Sequence, residues 1–144
     1  MARGSKWLLV ASIFGALLQG ARSEETFDLA TRTAIQGVIT RQLEAFAHDD
    51  PKGAEAFAAP AIQNRFPEPA QFLNMVKRNY GALLNPKSTQ FGEVTTSPHG
   101  PLQKVTIVAS DGSVWTAIYS FQQVDGAWRI TGCGLEKVEG QQDI

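Results

Sequence analysis

The stretch SVWTAIYSFQQVDGAWRITGCGLEKV, residues 113–138, decides the fold. Its apolar side chains recur at every second position, first Trp115, Ala117, Tyr119 and Phe121, then Trp128 and Ile130. That is the period of a half-buried β-strand. Asp125-Gly126 separates the two halves, and Asp-Gly between apolar runs marks a tight hairpin. Working outward, Asp111-Gly112 closes a further run over 102–109, and the looser turn Ser97-Pro98-His99-Gly100-Pro101 joins that run to one over 89–96. The last two strands are expected over 113–123 and 127–138. Together they predict a four-stranded antiparallel meander.

Before Pro86 the period is helical. Ile35, Val38, Ile39, Leu43 and Phe46 make one stripe of a long helix over 27–48, with Thr31, Arg32, Gln36, Arg41 and Glu44 between them. Asp50-Pro51 is an N-cap followed by proline at the first helical position, so a short helix starts there and carries Ala54, Phe57 and Ala58. Pro60 is expected to end it. Pro67 and Pro69 bracket the start of a third helix through Phe72, Met75, Val76, Tyr80 and Leu83, which ends near Asn85-Pro86. The fold class is α+β: three N-terminal helices on a four-stranded sheet.

If both Asp-Gly turns are two-residue loops, counting gives the register. Trp115, Ala117, Tyr119, Phe121, Trp128 and Ile130 share one face, while Val105, Ile107, Val114, Ile118 and Cys133 line the other. Lys104 then stands beside Tyr119. One layer of helices covers only one apolar face, so this pattern predicts a homodimer through the second face.

The chain has 144 residues, 13 Lys+Arg against 14 Asp+Glu, 43% hydrophobic residues and one cysteine. These values fit one folded domain, exclude an internal disulfide, and give no basic excess for nucleic acid. The first 23 residues read as a secretory signal: Arg3 and Lys6, an apolar run of 12 residues from Trp7 to Leu18, then Ala21-Arg22-Ser23. Spanning a bilayer takes about 20 apolar residues, so no membrane segment is expected after cleavage. Losing Arg3, Lys6 and Arg22 takes the formal charge of residues 24–144 from −1 to −4. The single domain is expected over 24–144, with its core about 28–138.

Several short motifs lie along this chain: Ile39-x-x-Gln42-Leu43-x-Ala45-Phe46; Asp50 with Ala54, Ala56 and Phe57; Ala59-Pro60-x-Ile62-Gln63-x-x-Phe66; Phe72, Met75-Val76 and Tyr80; and Trp128-Arg129-Ile130-x-Gly132-Cys133. From about Ile35 to Leu135 the chain thereby resembles the DUF4864 family of exported bacterial proteins, a branch of the NTF2-like cone fold. The resemblance implies a curved sheet, a cone-shaped interior and a periplasmic location. It does not imply an activity, because a fold hosts many functions.

His48-Asp49-Asp50 is the densest polar cluster, but successive helical residues point about 100° apart. Asp50 is expected to cap and the other two to face water. His48, His99 and Cys133 have no paired ligand spacing, so no metal and no cofactor are expected. No nucleophile-elbow motif is present. Cys133, between two glycines, is read as a packed free thiol. The aromatic set Phe46, Phe57, Phe72, Tyr80, Trp115, Tyr119, Phe121 and Trp128 fills the core or lines a pocket in the cone. Carboxylates are missing from the inner faces, and no catalytic residue is assigned. The leading expectation is a non-catalytic domain binding a small apolar or amphipathic ligand or a partner protein. A small-pocket isomerase, dehydratase or hydrolase, and a structural homodimer module, are the alternatives.

Overall fold

The computed structural model describes residues 27–139; the expected signal segment lies outside them. Among the described residues four α-helices precede the sheet: α1 (Leu29–Ala47), α2 (Pro51–Glu55), α3 (Pro60–Arg65) and α4 (Pro69–Asn79), followed by a 3-10 turn at Gly81–Leu83. No helix among the described residues is long and apolar enough to cross a membrane. The α1 stripe buries Ile35, Val38, Ile39, Gln42, Leu43 and Phe46, and Asp28 caps it by accepting from the Thr31 amide at 2.8 Å. Asp50 caps α2 by accepting from the Gly53 amide at 3.0 Å.

The expectation of three helices is corrected here. Pro60 starts a helix instead of ending one, because the chain has already left α2 at Glu55 and the missing proline N–H is harmless in a first turn. The helix after Pro69 is also shorter than expected. It stops at Asn79, and Gly81–Leu83 tightens into the 3-10 turn.

The sheet runs β1 (Ser88–Ser97), β2 (Gly100–Val108), β3 (Val114–Val124) and β4 (Ala127–Lys137), antiparallel in the order β1-β2-β3-β4. The edge strand β4 is not left bare. The link between α2 and α3 runs beside it, with Ile130 N–H donating to Phe57 O and Ala59 N–H donating to Ile130 O, both at 2.8 Å. Arg129 Nη1 donates to Ala56 O. An unpaired strand edge is thus satisfied by backbone from the helical half.

Two register expectations fail, each by one residue. Across Asp111-Gly112, Val108 pairs with Val114, and Ala109 N–H donates to Ser113 O at 2.8 Å, so the loop has three residues. In β4, Ser120 pairs with Gly132 while Phe121 pairs with Ile130, so Thr131 is an extra residue in a bulge. A one-residue slip moves a whole strand segment to the opposite face. Val105 now stands opposite Ala117, Ile107 opposite Trp115, and Cys133 opposite Tyr119, all on the helix side. Lys104 lies opposite Ile118, exposed on the outer side and away from Tyr119. The second apolar face, on which the homodimer expectation rested, thereby loses Val105, Ile107 and Cys133. It keeps Val114 and Ile118.

One core results. Ile35, Ile39, Val105, Ile107 and Ala117 are fully buried, with Tyr119 and Phe121 at 1% exposure. Gln103 lies in the same row as Tyr119 and is also fully buried. Its Nε2 donates to Gly92 O at 3.0 Å and Lys104 O at 2.8 Å, and its Oε1 accepts from Gln36 at 3.1 Å. Gly92 sits in the irregular stretch of β1 between Phe91 and Val94, so this side chain satisfies backbone that the bulge leaves unpaired.

Candidate functional site: an apolar cavity under the helices

Between the helices and β3–β4 lies a cavity of about 240 Å³. Phe46 comes from the α1 stripe, Ile62, Arg65 and Phe66 from α3 and its end, Phe72, Met75 and Val76 from α4, and Tyr80 and Leu83 from the turn after it. Phe72 is the hub of the aromatic wall, 6.3 Å from Phe46 and 6.0 Å from Phe66 between ring centroids. The sheet contributes Tyr119, Ile130 and Cys133. Gln42 also reaches the cavity and donates from Nε2 to Ala54 O at 3.1 Å.

The sheet side carries the polar chemistry. Tyr119 is 1% exposed, and its hydroxyl has no hydrogen-bond partner among the described residues. A buried hydroxyl in that state forfeits about 1–3 kcal/mol. Burial, then the charge that Cys133 would carry, then the contact with its thiol hold the Tyr119 phenol well above its ordinary value; the thiol is a weak partner and does not reach hydrogen-bond geometry. Burial likewise pushes the Cys133 thiol up to about 12, with Tyr119 acting in the opposite sense. Both groups are therefore neutral at physiological pH. A thiol held protonated is a poor nucleophile.

Of the eight aromatics expected at a pocket, Phe46, Phe72, Tyr80 and Tyr119 line this cavity. Phe57 and Trp128 line a separate, more open hollow of about 320 Å³ beside Val38, Arg41 and Arg129, where the Arg41 guanidinium lies 5.9 Å from the Phe57 ring centre. Phe121 packs behind Tyr119, ring centres 6.4 Å apart, within the core. Trp115 is at the far end of the sheet, opposite Lys137, and donates from Nε1 to Ser113 Oγ at 2.8 Å.

Ile62, Arg65, Phe66, Met75 and Cys133 line the cavity without having been expected there. The signal for the first three was Pro60. Read as a helix start, it puts Ile62 and Phe66 four apart on one face. Cys133 needed the bulge, which nothing local announces. The His48-Asp49-Asp50 cluster does not converge: Asp49 pairs with Lys77 at 2.9 Å, His48 bonds Glu44 O, and Asp50 caps α2. No group of three or more His, Cys, Asp or Glu placed to hold a metal ion occurs among the described residues. Glu55, buried on α2 with Oε2 unpartnered among the described residues, is raised by burial and by Glu68 but is not a cavity residue.

The model of the family described as "Domain of unknown function (DUF4864)" matches residues 28–143, from the α1 cap to beyond β4. The chain belongs to the DUF4864 family. Among curated proteins nothing matches. Of solved structures, the 1.8 Å structure of Aln2 from a Streptomyces species is similar, at 14% identity and a TM-score of 0.50, covering 77% of this chain and 93% of that one. At that identity the likeness speaks for the shared α+β fold alone. For this DUF4864 member the cavity itself has to carry any functional argument.

Proposed function

We propose that this DUF4864 chain is an exported, non-catalytic domain with the NTF2-like cone architecture, whose cavity takes one small apolar or amphipathic ligand. The observation that carries the reading is an aromatic-walled cavity of about 240 Å³ with a buried, unpartnered tyrosine hydroxyl. A filled core would leave neither. Cavities of about 150 Å³ hold benzene, so by proportion this one suits a molecule of about ten non-hydrogen atoms. The four-stranded antiparallel sheet with helices on one side, and the likeness to Aln2, support the cone architecture.

Its titratable lining is two tyrosines, one cysteine and one arginine; no carboxylate or histidine lines it among the described residues. An isomerase, dehydratase or hydrolase needs a group that exchanges protons near neutral pH. A thiol pushed up to about 12 and a buried phenol above its usual value are poor at that. Export to the periplasm, with residues 1–23 removed, is proposed from the sequence pattern of that segment. Intact-mass analysis of exported protein tests it, and a mass that includes Trp7 to Leu18 would refute it.

Ligand binding is tested with indole and p-cresol, followed by chemical-shift changes at Ile130 and Tyr119. Saturable shifts are expected in the wild type, and Met75→Trp, which fills the cavity from α4, should abolish them while the circular dichroism stays native. No shift at millimolar probe, or equal shifts in the filled variant, would reject the cavity as a binding site.

A further inference from the structure

The cavity is chemically lopsided. Its sheet side offers only neutral polar groups: the Tyr119 hydroxyl and the Cys133 thiol, on adjacent strands in direct register, and Thr131, whose hydroxyl already donates to Ser120 Oγ at 2.7 Å. Its only charged lining residue among the described residues is Arg65, exposed in the last turn of α3. Arg65 makes no ion pair among the described residues, and no carboxylate lines the cavity with it. Between these ends the walls are mostly apolar and aromatic, with the Tyr80 hydroxyl and with Gln42, whose Nε2 is taken up by Ala54 O.

Each end dictates what a ligand can present. A charged group pushed to the sheet side would lose its water and meet no counter-charge there, an outcome far more costly than burying a hydrogen-bonded neutral group. A purely apolar ligand would leave the Tyr119 hydroxyl with only the weak Cys133 thiol beside it, so a hydroxyl or carbonyl at that depth is favoured. At the exposed end a guanidinium selects an anion over a neutral group and rejects a cation, and its planar fork matches a carboxylate. The space between suits one ring or a short chain.

We infer that the ligand is a small carboxylic acid that enters neutral end first: a hydroxyl or carbonyl meets Tyr119 beside Cys133, an aromatic or short aliphatic body fills the Phe46-Phe66-Phe72 wall, and the carboxylate stays at Arg65. This specifies the ligand class of the binding reading above and rests on it. The carboxylate remains half in water, so Arg65 contributes discrimination more than affinity. The hydroxyl contact is buried and contributes more.

The test uses four probes of about ten or eleven non-hydrogen atoms, the size set by the cavity: 4-hydroxyphenylacetate, phenylacetate, 2-(4-hydroxyphenyl)ethanol and 2-(4-hydroxyphenyl)ethylamine, titrated by calorimetry into the purified chain. 4-Hydroxyphenylacetate should bind about three- to five-fold tighter than the alcohol, as befits an exposed ion pair, and the amine should be weakest. Phenylacetate, lacking the inner hydroxyl, should bind about tenfold more weakly than 4-hydroxyphenylacetate. Arg65→Gln should erase the head-group ranking and keep the hydroxyl preference. Tyr119→Phe should do the reverse. Equal affinities for all four probes, or an Arg65→Gln variant that still ranks anion above alcohol, would overturn the carboxylic-acid assignment while leaving the binding reading intact. An unaltered hydroxyl preference in Tyr119→Phe would overturn the neutral-end-first orientation. If none of the four binds the wild type at millimolar concentration and indole also fails, both readings fall together.

Discussion

The two Asp-Gly hairpins share a dipeptide and differ in outcome. At Asp125-Gly126 both residues have positive φ, +51° and +81°, and Val124 pairs directly with Ala127, the two-residue turn whose twist suits a hairpin. At Asp111-Gly112 only Gly112 is positive, at +89°, and the loop gains a residue. The difference lies in the next position. Ser113 gives Asp111 two local partners, its amide at 2.9 Å and its hydroxyl at 2.6 Å, and Trp115 Nε1 then donates to that same hydroxyl at 2.8 Å. Asp125 is followed by Gly126 and Ala127, which offer no such side chain. The Asp111 side chain therefore holds a turn of the type that precedes a left-handed glycine. One residue in one turn sends Val105 and Ile107 to the helix side, and the core is single because of it.

The strongest challenge to that comparison is a pair of charge insertions. Val105→Asp should cost more than about 4 kcal/mol and leave little folded protein, because it buries an unpaired carboxylate in a marginally stable domain. Ile118→Asp, at a position 37% exposed, should change stability by about 0.5 kcal/mol or less. A two-residue loop at Asp111 would put both side chains on the same outer face, and the two variants would then behave alike in thermal melts.

A smaller effect isolates the turns themselves. A Cβ at Gly112 or Gly126 would meet nothing within 4 Å, so any cost of alanine there is conformational. Each substitution should cost about 1–2 kcal/mol, seen as a melting point lower by about 4–8 °C. Asp125→Asn should be close to neutral, since Asn-Gly suits the two-residue turn equally well. A neutral Gly126→Ala would contradict the turn assigned there.

The smallest effect sharpens the contrast through pH. Hydrogen bonds from the Ser113 side chain and amide hold the Asp111 carboxyl below its usual 3.8. A lowered value stabilises the fold above the unfolded pKa, and that contribution is lost as pH falls through the lowered folded value. Titrating from pH 5 to pH 2, the Trp115 indole and Ser113 amide resonances should shift late in the acid range. In Asp111→Asn they should not titrate with that group. An unchanged profile in the variant would remove Asp111 as the organiser of the turn.

Much of the fold was legible because the signals are local. The stripe from Ile35 to Phe46, the cap at Asp50 followed by Pro51, and the alternation from Trp115 to Phe121 each follow from periodicity or from chemistry within four residues. The site was half legible for the same reason. Phe46, Phe72, Tyr80 and Tyr119 stand at core-facing positions of their own elements. Phe57 and Trp128 do too, yet the link from α2 to α3 carries Phe57 to β4 and away from the cavity.

By itself, then, the sequence determined the strands, the long helix and the places of both glycine turns, because each depends on the spacing of neighbouring residues. Tertiary structure alone decided which face Val105, Ile107 and Cys133 present. It also decided that Ile130 bonds the Phe57–Ala59 backbone, and that Tyr119 ends up buried without a partner. Strand register is the physical reason: a single extra residue at Thr131, or in the loop after Ala109, reverses every side chain beyond it. Whether such a residue is accommodated depends on what packs against the strand from elsewhere in the chain.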